Sequence, residues 1–120
     1  MKVQKYNIEI PKMDYVVISL KIKNNGQIVT LGENDLMFMT VKENVKNKDY
    51  EFQKSLGNGI AYNSETQQYD ITITSTDTEN FEMNKSYGYD ITIYYDGNKP
   101  KQRVIGEIKI GKKFTLNEVL

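Results

Sequence analysis

The sequence predicts an all-β protein, folded as a single sandwich or barrel. Runs in which apolar and polar residues alternate recur along the chain, and turn residues separate them roughly every 8–12 positions. No segment carries the apolar stripe of a long amphipathic helix. We therefore expect about seven or eight short strands in one domain that spans residues 1–120.

Composition limits the chemistry that the chain can support. The 120 residues include 16 Lys and Arg against 16 Asp and Glu, and they include neither Cys nor His. The net charge of zero gives no electrostatic reason to expect nucleic acid or a membrane as a partner. Without imidazole or thiol groups, His- and Cys-dependent catalysis, disulfides and soft-ligand zinc sites are excluded. No signal peptide or membrane span is predicted.

The first strands are predicted before residue 32. Residues 6–10 alternate apolar and polar side chains and stop at Pro11, which is typical of an edge strand or of an N-terminal strand that pairs on one side. Residues 14–23 alternate in the same way, and the Asn25-Gly26 pair after them tolerates the positive φ of a two-residue hairpin turn. Residues 28–31 are therefore predicted to return antiparallel. The buried face of residues 14–23 is predicted to carry Val16, Ile18, Leu20 and Ile22.

The middle of the chain contains its least polar segment. Residues 36–39 (Leu-Met-Phe-Met) are apolar at four successive positions, which predicts a strand buried on both faces or leaving the core for a subunit contact. Residues 50–56 alternate with interruptions, and a helix over residues 45–54 would lack an apolar stripe. The Gly-Asn-Gly cluster at residues 57–59 predicts a turn before a further extended run.

The second half contains the clearest strands. Both include the phrase Tyr-Asp-Ile-Thr-Ile, at residues 69–73 and 89–93, with Tyr and Ile predicted to share the buried face. The Asp96-Gly97 pair predicts a second hairpin turn. Residues 101–110 then return with apolar residues on one face and Glu107 and Lys109 on the other.

Two carboxylates occupy the same place in the repeated phrase. If Asp70 and Asp90 lay on neighbouring strands, they could act as a general acid and base. The period-2 placement favours the simpler interpretation, in which each Asp lies on the solvent face of its strand. We therefore predict no catalytic residues.

The segment at residues 76–80 offers both a helix cap and oxygen ligands. Thr-Asp-Thr-Glu at residues 76–79 matches a capping box, which predicts one or two helical turns. Asp77, Glu79 and Asn80 could also hold Ca²⁺, although the spacing of an EF-hand is absent. The capping interpretation is favoured, and no metal or cofactor site is assigned.

Tyrosine is the one abundant residue type that bears on binding. The chain has nine Tyr, whose rings stack on sugars or protein partners but also favour strands as such. Tyr94 and Tyr95 are consecutive, so they point to opposite faces of a strand and Tyr94 is expected to face outward. Residues 36–39 together with Tyr94 form the predicted contact surface.

Short phrases from residue 36 onward occur in an order that resembles a known family. They are LMFMTVKE at residues 36–43, FQKSL at 52–56 followed by Gly59-Ile60, YDITI at 69–73, Asp77-Thr78, YGYDI at 87–91 and GEIKI at 106–110. In this order they resemble small proteins from phages and prophages of Gram-positive bacteria, similar to the N-terminal domain of baseplate upper proteins.

This resemblance implies an immunoglobulin-like antiparallel β-sandwich that serves as a non-enzymatic structural or adaptor part of a phage tail, baseplate or neck. It implies other phage structural proteins as partners, and a location in the virion, or in the host cytoplasm before assembly. Virion parts are built from repeated copies, so homo-oligomerisation is expected, with a monomer as the alternative. A carbohydrate-binding or adhesin-type module that uses surface tyrosines is the competing function, and an enzyme that depends on carboxylates alone is the least favoured.

Overall fold

The computed structural model describes residues 2–10, 15–43, 49–82, 84–97 and 100–111. These residues form strands and turns, and their only helical segment is one 3-10 turn at Tyr95–Gly97. The strands, in chain order, are β1 (Lys2–Lys5), β2 (Ile8–Ile10), β3 (Tyr15–Leu20), β4 (Lys23–Asn24), β5 (Gln27–Ile28), β6 (Leu36–Lys42), β7 (Phe52–Leu56), β8 (Gly59–Asn63), β9 (Gln68–Thr74), β10 (Ser86–Tyr94) and β11 (Pro100–Ile110). The prediction of an all-β protein is confirmed.

Nine of these strands form one mixed sheet that curls on itself. The order is β1-β11-β10-β6-β7-β8-β9-β3. β2 also pairs with β11, further along that strand than β1 does. The expectation of a wholly antiparallel arrangement is wrong, because β1 and β2 run parallel to β11 and β7 pairs parallel with β8. The first strand has no hairpin connection to the last, so nothing in the local chain forces the two to run antiparallel.

The predicted alternation sets which side chains enter the core. Every inward position predicted in residues 14–23 is buried, with exposed fractions between 2% and 8%. Tyr and Ile of both repeated phrases point into the same core cluster. Phe81 stacks on Tyr87 with ring centroids 3.9 Å apart, and Phe81 also contacts Phe52. Burial of each such side chain contributes roughly 1.5–3 kcal/mol, so the inward face of the curled sheet carries most of the stabilisation.

The prediction that residues 36–39 are buried on both faces is wrong. Met37 and Met39 are 1% and 0% exposed, whereas Leu36 is 42% exposed and Phe38 is half-buried. In β6 only alternate residues reach the core, because the opposite face of this part of the sheet is not covered by the described residues. The four apolar residues therefore divide between the core and the surface.

The first hairpin turn forms, but the strand after it is shorter than predicted. Asn25 and Gly26 both have positive φ, 54° and 78°. β5 pairs only with β4, and Val29 donates its N–H to the Ile22 carbonyl at 2.8 Å. β3 pairs instead with β9 over six residues, including Ile18 opposite Ile71. That pairing places the buried side chains of β3 and β9, among them Ile18 and Ile71, side by side in the core.

A glycine-rich kink carries the chain from one half of the sheet to the other. Gly57 and Gly59 have φ of 83° and 95°, which favours glycine at both positions. Before the kink, β7 pairs with β6, and after it β8 pairs with β9. The turn predicted at residues 57–59 is confirmed, and it joins the strand that pairs with β6 to the strand that pairs with β9.

The helix predicted at residues 76–80 does not form. This segment consists of successive turns in which Asp77 accepts the Thr74 N–H at 2.8 Å and Phe81 donates its N–H to the Thr78 carbonyl at 3.0 Å. Phe81 is 7% exposed, so the chain must return to the core before a helix could extend. The capping sequence therefore stabilises a turn.

Candidate functional site

Three neighbouring strands present one continuous surface away from the core. β10 lies between β6 and β11, and their registers place Leu36 opposite Tyr94, Phe38 opposite Thr92, and Thr92 opposite Arg103. Because side chains alternate along each strand, every second residue faces outward. We call this surface the outer face; it consists of Leu36, Phe38, Thr40, Lys42, Asp90, Thr92, Tyr94, Arg103, Ile105 and Glu107.

One end of the outer face is aromatic and apolar. The rings of Phe38 and Tyr94 meet edge to face, with centroids 6.1 Å apart and planes at 80°. Leu36 and Tyr50 are 42% and 54% exposed. Phe38, Tyr94, Tyr50 and Pro100 line an open depression of about 630 Å³. Exposed aromatic side chains of this kind are enriched at protein interfaces and at sugar-binding surfaces.

The middle of the outer face is polar and its groups are paired. Arg103 Nη2 lies 3.1 Å from Asp90 Oδ2, and Thr92 donates its hydroxyl to Asp90 Oδ1 at 3.2 Å. Gln53 donates its side-chain amide to the Thr40 hydroxyl at 2.9 Å. The Arg103 and Asp90 side chains are 44% and 30% exposed, so the pair contributes only about 0–1 kcal/mol to stability. The ion pair fixes the position of a guanidinium and a carboxylate beside the aromatic end.

The structure brings together part of the predicted contact surface. Leu36, Phe38 and Tyr94 share the outer face, whereas Met37 and Met39 belong to the core. Tyr50 and the Asp90–Arg103 pair were not included in the prediction. The Asp90–Arg103 pair depends on β11 lying beside β10, and Tyr50 precedes β7, which lies beside β6. Such pairings between strands leave no signal in the local pattern.

The two carboxylates of the repeated phrase are not brought together. Asp70 accepts hydrogen bonds from Ser19 at 2.7 Å and from Asn63 at 3.4 Å, on the half of the sheet formed by β3, β9 and β8. Asp90 pairs with Arg103 on β11, and β9 is not a neighbour of β10. This arrangement does not create the acid and base pair considered above.

The three residues considered as Ca²⁺ ligands have different surroundings. Asp77 Oδ2 lies 2.7 Å from Lys54 Nζ and accepts the Thr74 N–H, while Glu79 and Asn80 are exposed. Partial burial tends to raise the pKa of Asp77, but the Lys54 ammonium and the Thr74 amide outweigh it and hold that pKa below its usual value. Among the described residues, no group of three or more Asp and Glu side chains is arranged to hold a metal ion.

Comparison with known proteins adds no further assignment. No protein-family model and no curated protein sequence matches this chain. Within the ranges that the structure describes, no helix is long and apolar enough to cross a membrane. The fold and the outer face thus define an all-β domain that presents an aromatic surface beside a paired Asp and Arg.

Proposed function

We propose that this protein is a non-enzymatic structural or adaptor component of a phage or prophage virion, in the tail, baseplate or neck. It acts through protein contacts made by the outer face. The observation that carries the proposal is the aromatic end of that face, where Leu36, Phe38, Tyr50 and Tyr94 leave apolar surface in solvent. Exposed apolar surface of this kind marks interaction sites.

We also propose that the curled sheet is an immunoglobulin-like β-sandwich. In immunoglobulin domains, strands B and E belong to one layer, while strands C, F and G form the other. The pairing of β3 with β9 corresponds to B with E, and the order β6-β10-β11 corresponds to C-F-G. The kink at residues 57–59 then marks the passage of one strand between the two layers. This correspondence supports the resemblance to phage proteins, since the resemblance implies the same fold.

The proposal is tested by following the protein into virus particles. Induced phage particles are purified on a density gradient, and the protein is detected by an antibody and by mass spectrometry. We expect it to sediment with particles, and we expect Tyr94→Asp to reduce its incorporation when supplied in place of the wild type. Thr72→Asp, on the outward side of β9, is the matched control. If the wild-type protein is absent from particles and from assembly intermediates, the proposal is wrong.

A carbohydrate-binding function is the second candidate, and one observation favours it. Tyr50 is 54% exposed beside a depression that Thr40, Gln53 and Asp90 also line, so a ring and several hydrogen-bonding groups lie together. Sugars bind to this combination through stacking and directional hydrogen bonds. A glycan array separates the two candidates. Saturable binding that Tyr50→Ala abolishes would favour a lectin, whereas no binding would leave the structural role.

A further inference from the structure

We propose that Asn25 is a site of spontaneous deamidation, in which the backbone nitrogen of Gly26 displaces the side-chain amide of Asn25. This inference does not depend on the outer face or on the proposed function. The sequence contains two Asn-Gly pairs, at residues 25–26 and 58–59. A glycine has no Cβ to shield its backbone nitrogen, so both pairs can react in an unfolded chain. The fold leaves only the first pair in surroundings that permit the reaction.

The reaction needs only the chain and water. The Gly26 nitrogen bonds to Cγ of Asn25, the Cγ–Nδ2 bond breaks, and the amide group leaves as ammonia with the proton of the Gly26 N–H. The product is a five-membered succinimide ring, whose closure is favoured because the reacting atoms belong to adjacent residues. Water then opens the ring. Addition at Cγ gives aspartate, and addition at the backbone carbonyl gives isoaspartate, in which the main chain runs through Cγ.

The hairpin turn between β4 and β5 leaves the reacting groups open to solvent. Asn25 and Gly26 are both exposed, and no group of the described residues accepts the Gly26 N–H. A Cβ on Gly26 would meet nothing within 4 Å, so the turn has space beside it for the ring and for the water that opens it. Neither a hydrogen bond nor a packed side chain therefore protects the Gly26 nitrogen.

The ribbon that holds this turn opens easily. Ring closure requires opening, because the hairpin fixes the backbone dihedral angles of Asn25, which the ring must change. β4 and β5 pair only with each other, over two residues each, outside the main sheet. A two-stranded ribbon is marginally stable by itself, so its opening costs little. The bond from the Val29 N–H to the Ile22 carbonyl, at 2.8 Å, closes the base of the ribbon and confines the opening to residues 23–28.

The second Asn-Gly pair is held more firmly. Asn58 donates its N–H to the Ser55 carbonyl at 2.8 Å, and its own carbonyl accepts the Ser55 N–H at 3.0 Å. Gly57 donates its N–H to the Ile60 carbonyl at 3.0 Å. The strands on either side, β7 and β8, belong to the main sheet, so freeing Asn58 disrupts that sheet. Asn58 is exposed just as Asn25 is, and the difference between the two sites therefore lies in how each turn is held.

Peptide mapping by mass spectrometry compares the two sites within one sample. The full chain is incubated in mildly alkaline buffer, with and without denaturing guanidinium chloride. In the folded protein we expect Asn25 to react at least about 10-fold faster than Asn58, which corresponds to a difference of about 1.4 kcal/mol in the free energy of opening. In denaturant the two rates should be similar. Equal rates in the folded protein would overturn the inference, as would an unchanged preference for Asn25 in denaturant, because the fold would then not select the site.

Two single variants test the assignment by charge. Deamidation converts a neutral amide into a carboxylate, so an acidic form of the wild-type protein should accumulate and separate on ion exchange. Asn25→Asp has this charge from the start and keeps an Asp-Gly pair that suits the same turn, so it should fold as the wild type does by circular dichroism. It should form further acidic material at least about 10-fold more slowly than the matched control Asn58→Asp. If both variants form it equally fast, the reaction lies elsewhere and the inference is wrong.

Discussion

The Nζ atom of Lys54 lies 2.7 Å from Oδ2 of Asp77, and this ion pair joins β7 to the turn that follows β9. β7 pairs with β6 in one half of the curled sheet, whereas β9 pairs with β3 in the other. The two side chains are 14% and 16% exposed, and the Lys54 ammonium also lies 5.8 Å from the centre of the Phe52 ring. The pair therefore ties the two halves together at a site with little solvent screening.

Asp77→Asn should lower the free energy of unfolding by about 1–3 kcal/mol, because it leaves the Lys54 ammonium partly buried without its partner. Urea unfolding measures this change. Glu79→Gln, an exposed neighbour in the same turn, is the control and should change stability by less than about 0.5 kcal/mol. In the double variant Lys54→Met, Asp77→Asn, the loss should be smaller than the sum of the single losses; strict additivity would show that the pair does not interact.

The same pair predicts a dependence of stability on acid. The pKa of Asp77 is lowered in the folded protein, so the folded state favours the ionised carboxylate. Its contribution is present above the unfolded pKa of about 3.9 and is lost as the pH falls through the folded pKa. We expect the difference in stability between the wild type and Asp77→Asn to be constant near neutral pH and to shrink below about pH 4. A difference that does not change on acidification would contradict this assignment.

Gly106 allows the N-terminal segment between β1 and β2 to pack closely against β11. A Cβ at this position would overlap the carbonyl group of Tyr6, which separates β1 from β2, and Tyr6 donates its N–H to the Ile105 carbonyl at 2.9 Å. Gly106→Ala should therefore destabilise the protein by about 1–3 kcal/mol and lower the hydrogen-exchange protection of β1 and β2. Gly32→Ala is the control, since a Cβ there would make an ordinary contact with Asp35. Unchanged protection in Gly106→Ala would rule out the overlap.

Tyr89 contacts the same N-terminal segment at Tyr6. Its hydroxyl donates to the Tyr6 carbonyl at 2.6 Å, and burial raises its pKa well above the ordinary value of 10.0. Tyr89→Phe should cost about 1 kcal/mol at neutral pH, because the carbonyl loses its donor.

The raised pKa of Tyr89 also predicts a loss of stability in base. A buried neutral phenol stabilises the folded state below the unfolded pKa, and this contribution is lost as the pH rises above about 10, where the unfolded state ionises first. Thermal unfolding between neutral pH and base should show a shallower decline for Tyr89→Phe than for the wild type. If stability declined equally with pH in both proteins, the decline would come from other tyrosines. Tyr69 is one of them, because burial also raises its pKa.

Neighbouring residues of β6 should respond in opposite ways to a charge. Met37 is 1% exposed, so Met37→Asp should prevent folding, whereas Leu36→Asp should keep the fold because that side chain is 42% exposed. Circular dichroism and solubility distinguish the two. A folded Met37→Asp variant would contradict the division of β6 between core and surface. Met37 is for this reason unsuitable for probing a contact surface, although the sequence placed it in one.

Local patterns in the sequence determined which side chains enter the core and where the chain turns. Val16 and Ile18, the Tyr and Ile residues of the repeated phrase, and the turns at Asn25 and Asp96 lie as predicted, because alternation and positive φ depend only on adjacent residues. The alternation around Tyr94 likewise identified one residue of the outer face.

Only the tertiary structure decided which strands are neighbours. The place of β6 between β10 and β7 joins Phe38 to Tyr94, and the pairing of β3 with β9 keeps Asp70 apart from Asp90. The parallel course of the N-terminal strand beside β11 has the same origin. Each of these pairings joins residues far apart in the chain and depends on how much apolar surface the whole sheet buries. The local alternation of apolar and polar residues carries no information about that total.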